Sequence, residues 1–212
     1  MNGLMSGVYK YSLWISRLAF LNVLWVFFSL IGLIIFGFFP ATVAMFSIVR
    51  DWVKGKDDQP IISTFIKNYR KELIKGNLLG MIILFIGLIL IIDIRFLFHN
   101  NSGIWMIVNG VTVMVTVIYL LTVLYVFPVF VQYELKLIDN IKNAFFYMLA
   151  NPKATFMMVA ATITLYLGMV YFPAVAFIFG GSLYAFCLMY YANQSFVHVE
   201  QKKTTIENGA NH

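Results

Sequence analysis

The sequence predicts an all-α integral membrane protein, with about five transmembrane helices and amphipathic interfacial helices on the cytoplasmic side. Three observations predict it. Of the 212 residues, 61% are hydrophobic and 11% are charged, against about half and about a quarter in soluble domains. The apolar residues gather into uncharged runs of membrane-crossing length. Between two such runs, Pro40 to Lys75 holds 7 of the 15 Lys and Arg: Arg50, Lys54, Lys56, Lys67, Arg70, Lys71 and Lys75. Basic connections of this kind stay on the cytoplasmic side.

The same pattern excludes other classes. A net charge of +6 could serve nucleic acid, but these cations flank apolar spans, where they set topology and meet anionic lipid. Cys187 is the single cysteine, so neither an intrachain disulfide nor a thiolate metal cluster is expected. The first apolar run is too long for the core of a cleavable signal peptide.

Met1 to Arg17 mixes small, aromatic and basic residues, with Leu4, Val8, Tyr11 and Ile15 at helical spacing, as in a short surface helix. The first span is Leu18 to Phe39; its 22 residues reach roughly 33 Å at about 1.5 Å each. Pro40 is expected to end it. In Ala41 to Lys54, the residues Ser47, Arg50, Asp51 and Lys54 share one helix face, and Met45, Ile48, Val49, Trp52 and Val53 are left for the other. Two readings follow: a helix lying at the membrane surface, or a re-entrant segment lining a pore.

Gly55 ends that helix, Asp57 and Asp58 form a turn, and Pro60 stands where a new helix starts. The new helix places Phe65, Ile66, Tyr69 and Leu73 opposite Lys67, Asn68, Lys71 and Lys75. It feeds the second span, 76–92, whose Gly76 and Gly80 form a small-xxx-small pair suited to close helix approach. Asp93 to Gly103 is expected outside. The third span is 104–127, with Trp105 as anchor and Pro128 as its end.

Glu134 to Asn151 is expected to form another surface helix. Lys136, Asp139, Asn140 and Asn143 share one face, and Ile138, Ile141, Phe145 and Leu149 the other. Ala154 to Val199 is 46 residues without Lys, Arg, Asp or Glu. One helix that long exceeds twice the membrane core, so the run must fold back. Spans at 154–172 and 181–199 leave Pro173 to Gly180 as the outer turn, and 200–212 as a polar cytoplasmic tail expected to fray. Five spans put the N-terminus outside and the C-terminus inside. Counted so, 12 Lys and Arg are cytoplasmic, and Lys10, Arg17 and Arg95 are outside. Phe39-Pro40 and Phe127-Pro128 then echo each other as span ends, as in a duplicated unit.

Asn2-Gly3-Leu4-Met5-Ser6-Gly7, Leu21-Asn22-Val23-Leu24-Trp25, Phe39-Pro40-Ala41-Thr42, Val49-Arg50-Asp51-Trp52-Val53-Lys54-Gly55, and Phe65 to Lys75 form a recognisable set. Together these stretches resemble the YesL-like family of bacterial multi-pass membrane proteins. The resemblance is strongest over Met1 to Gly80. The chain departs from it at Asp51, where members often carry a second basic residue. It implies a bacterial cytoplasmic membrane and a setting among genes for sugar uptake and polysaccharide breakdown. It supplies no mechanism.

Catalytic chemistry has no foothold in the sequence. His99, His198 and His212 are scattered, and no nucleophile stands in a pattern that would activate it. No phosphate-binding loop is present, since Gly55-Lys56 lacks the glycine-rich run. No catalytic residue, cofactor or metal is expected. The spans hold no charge away from their ends, unlike those of proton-coupled pumps. A neutral path lined by Asn22, Asn109 and Thr116 would make the chain a small transporter of a neutral solute. Glu134 and Asp139 are expected to pair with Lys136 or Lys142. The candidate site is therefore the basic face. There Arg50, Lys54, Lys67, Arg70 and Lys71 are expected to meet lipid headgroups or dock a partner, such as a carbohydrate transport system, in a non-enzymatic accessory role.

Overall fold

The structure, a computed structural model, describes residues 2–99 and 104–210. Among them the chain forms eight helices and no strand. They are α1 (Asn2–Ile31), α2 (Phe38–Val53), α3 (Ile61–Lys71), α4 (Leu73–His99), α5 (Ile104–Gln132), α6 (Leu137–Ala150), α7 (Pro152–Tyr171) and α8 (Pro173–Ala210). Five stretches are long and apolar enough to cross a membrane: Ser12–Ile31, Leu73–Phe96, Trp105–Gln132, Pro152–Tyr171 and Pro173–Lys202. Their outer faces expose large apolar side chains such as Phe27, Leu84, Met114 and Tyr166, which suits lipid and not water. The chain is an all-α, multi-pass membrane protein.

The first expected span is corrected. Helix α1 stops at Ile31, and Pro40 does not end a span. It lies in the first turn of α2, where its missing N–H costs nothing. Between the helices runs Gly32-Leu33-Ile34-Ile35-Phe36-Gly37. A Cβ on Gly32 would fall 2.2 Å from the Gly37 Cα, so the two glycines let the chain cross itself. Leu33 (φ 54°) and Ile34 (φ 64°) are left-handed, a conformation costly for a β-branched residue.

This turn is apolar and outward-facing, with Leu33 78% and Ile35 73% exposed. Its backbone is closed on itself. The amides of Gly32, Leu33, Ile34, Ile35, Phe36 and Phe38 all find carbonyls between Phe28 and Ile34. The Asn77 side chain donates to the Phe36 carbonyl at 2.8 Å. Non-helical backbone at membrane depth requires such internal satisfaction.

Helix α2 then returns beside α1. Arg17 Nη1 lies 2.9 Å from Asp57 Oδ2, and Trp14 meets Trp52 edge-on at 5.6 Å. The expected division, with Arg17 outside and Asp57 inside, does not hold, because the ion pair joins them at one end of the molecule. Nor does α2 lie on a surface. Eleven of its 16 residues are buried, and it packs against α1, α3, α4, α5 and α8. The close approach expected of Gly76 and Gly80 is present: Pro40 and Phe39 of α2 lie against them.

Helix α5 runs through Pro128 to Gln132. Pro40 opens one helix and Pro128 sits inside another, so the two are not equivalent span ends and the echo has no structural counterpart. Helix α6 does present Ile138, Phe145 and Leu149 outward as an apolar face. The expected outer turn at 173–180 shrinks to Phe172, since α8 starts at Pro173 and passes unbroken through Gly180 and Gly181. Proline fits this first helical position. The backbone of α8 stays helical to Ala210. The side chains of Leu4, Val8, Tyr11 and His99, and all of His212, lie outside the described residues.

Candidate functional site

The basic end is built around the last turn of α2. Arg50, expected to meet headgroups or a partner, is engaged within the fold. Its Nε and Nη2 donate to Asp51 Oδ1 at 3.0 and 2.8 Å, and its Nη1 donates to the Val131 carbonyl in the last turn of α5. A cation there satisfies an end carbonyl and complements the helix dipole. Arg50 is thus a clamp between α2 and α5. Lys54 is exposed. Partial burial, then Arg50, lowers its pKa from the usual lysine range.

Helix α3 carries the remaining candidates. Its inner face is committed: Phe65 and Tyr69 are buried against Phe28, and Asn68 Nδ2 donates to Ser47 Oγ at 3.0 Å. Its outer face holds Lys67 and Arg70, exposed and without a side-chain partner among the described residues. Lys71 is not free. Its Nζ lies 2.7 Å from Glu134 and 3.7 Å from Glu72. Glu134, in the connection between α5 and α6, therefore pairs with Lys71 of α3, and not with Lys136 or Lys142 as expected. The hydrogen bond and charge of Lys71 hold the Glu134 carboxyl below its usual range, and Glu134 raises the Lys71 ammonium in return.

Behind this face lies a polar knot the sequence reading missed. Tyr133 and Tyr147 stack at 5.9 Å and 7°, with their hydroxyls 2.7 Å apart. Glu200 accepts from Tyr133 at 3.4 Å. Burial, then the Tyr147 hydroxyl, pushes the Tyr133 hydroxyl far up, so it stays protonated at neutral pH. Asn140, expected on a wet face, is fully buried and donates to the Val126 carbonyl at 3.2 Å. Aromatic residues inside an amphipathic stretch gave no sign of a pair 14 positions apart.

The structure does not assemble the neutral path. Asn22 Oδ1 accepts from the amides of Gly181 and Ser182 at 3.0 and 3.2 Å. Its Nδ2 donates to the Phe177 carbonyl at 2.9 Å. Thr116 donates to the Thr112 carbonyl of its own helix. No extended packing of α1 on α5 brings Asn22 to Asn109 or Thr116. Among the described residues, no group of three or more His, Cys, Asp or Glu is placed to hold a metal ion.

A family model described as "Protein of unknown function, DUF624" matches residues 18–94, which run from within α1 into α4. The chain is 34% identical over 198 residues to "Uncharacterized protein YesL" of Bacillus subtilis (strain 168), covering 93% of each chain. It is 31% identical over 200 residues to "Uncharacterized protein YteU" of the same organism, covering 94% of this chain and 90% of that one. It is 32% identical over 189 residues to "Uncharacterized protein YesV", also from that organism, covering 88% and 89%. No solved structure matches the chain.

Proposed function

The chain belongs to the YesL-like family of membrane proteins, and from that premise we propose that it is a non-enzymatic accessory to carbohydrate uptake or its regulation, docking a transport system through its basic end. One observation carries the reading. Lys67 and Arg70 stand exposed on α3 without partners among the described residues, while the other face of α3 is locked to α1 and α2. Cations held on a rigid element, yet unused within the fold, suit an acidic partner surface. The link to carbohydrate rests on the genetic setting that the family resemblance implies.

The site is proposed for the cytoplasmic face of a bacterial cytoplasmic membrane. Of the 15 Lys and Arg, only Arg95 belongs to the far end of α4; the rest gather at the Arg17–Asp57 end. That bias supports placing this end inside. The start of α1 and the end of α8 go with it.

The test is the double variant Lys67→Gln, Arg70→Gln, with Lys71 left to hold Glu134. It is expected to insert and accumulate like the parent. It is also expected to lose most crosslinking to the sugar transport complex, and to slow growth on the inducing sugar. Unchanged crosslinking and parental growth would reduce the basic face to a topology signal.

A further inference from the structure

We propose that the cleft between α7 and α8, at the basic end, binds the phosphate of an anionic membrane lipid. The cleft is a cavity of about 590 Å³, within the size range of ligand sites. Lys153 lines it from the first turn of α7, and Gln194, His198 and Lys202 line it from α8. The α8 residues recur every four positions, so they form one stripe. No carboxylate lines the cavity. The nearest acid in sequence, Glu200, is turned to Tyr133. Lys153, Gln194, His198 and Lys202 have no hydrogen-bond or ion-pair partner among the described residues. The end of α7 is already capped, since Asn151 Oδ1 accepts from the Ala154 amide at 3.2 Å. Recognition of an anion therefore falls to the side chains.

The floor of the cleft distinguishes a lipid from a soluble anion. One turn deeper on α7 the lining becomes apolar. Met157, 47% exposed, follows Lys153 beside Ala154. The cleft thus passes from cationic mouth to apolar floor between two membrane-crossing helices, matching a phosphate headgroup with an acyl chain below it. Each cation near an anionic headgroup contributes on the scale of the surface electrostatic term, and two together are worth at least about a tenfold change in binding.

The experiment uses the full chain in nanodiscs of zwitterionic phosphatidylcholine, titrated with phosphatidylglycerol and read by native mass spectrometry and melting temperature. Saturable retention of phosphatidylglycerol is expected. Lys153→Gln with Lys202→Gln should weaken it at least about tenfold. Gln194→Trp, which fills the cleft without removing charge, should weaken it as well. Lys67→Gln with Arg70→Gln, an equal loss of charge on α3, should leave it unchanged. Retention by the cleft variants at the parental level, or equal loss in the α3 variant, would overturn the proposal. Inorganic phosphate displacing the lipid at equal concentration would also overturn it, in favour of a soluble anion. The α3 variant separates this site from the docking face, so either can fail alone.

Discussion

Asn22 shows what a single polar side chain does inside a span. Phe177 and Gly181 stand four apart in α8, where an undisturbed helix pairs that carbonyl with that amide. The Asn22 carboxamide contacts both. A Cβ on Gly181 would meet the Trp25 ring at 2.9 Å and Asn22 Oδ1 at 3.0 Å, so glycine makes the approach possible. Replacing Asn22 by Leu removes three interhelical bonds. At about 0.6 kcal/mol each, thermal unfolding in detergent should register a loss of about 2 kcal/mol. The polarity of Asn22 was legible in the sequence, but its partners, about 160 positions on, were not. Arg50 misled for the same reason: its acceptor is 81 positions away, and basic residues next to a span ordinarily read as headgroup contacts. Glu134 adds a pH test. Its carboxyl is lowered by Lys71, so the pair's contribution is present above the ordinary carboxylate value of 4.5 and fades as pH falls through the lower folded value. The Lys71 side is raised, so its contribution fades as pH rises through a value above 10.5. Glu134 is exposed, so the melting temperatures of parent and Glu134→Gln should differ only slightly at neutral pH. They should converge in acid.

Among the elements, α3 was the most legible. Its apolar stripe of Phe65 and Tyr69 and its outward Lys67 follow from helical spacing, whereas Asn68, expected beside Lys67, turns inward to Ser47. The α1–α2 hairpin was not, because hydropathy cannot distinguish a crossing helix from an apolar turn. Gly32 and Gly37, five positions apart, are the available signal, but within an apolar run Pro40 reads as the stronger stop. In the fold those glycines cross, and the turn exposes Leu33, Ile35 and Phe36. Its lipid setting makes a prediction. Ile35→Arg should sharply reduce the amount of protein in the membrane fraction. Gln59→Arg, in the exposed connection before α3, should leave it unchanged. Equal abundance of the two variants would place the turn in water.

At the scale of the whole molecule, helical content and the five apolar stretches were legible, because length and charge exclusion are strong constraints in lipid. Sidedness depends on where the first run turns. A complete crossing over 18–39 sends Lys10 and Arg17 to the opposite face, against the charge bias they would otherwise strengthen. Turning the chain back at 32–37 returns Arg17 to Asp57 and leaves Arg95 as the exception. The start of α1 and the basic connection after α2 share one end of the molecule, and we propose that this end is cytoplasmic. Single cysteines placed at Tyr9, Asp58 and Asn101 in a Cys187→Ala background test it most directly, with a membrane-impermeant thiol reagent on intact cells. The cysteines at Tyr9 and Asp58 should be shielded until the membrane is opened, and the one at Asn101 should react. Labelling at Tyr9 with Asp58 shielded would contradict the hairpin, and labelling at both would contradict the cytoplasmic assignment.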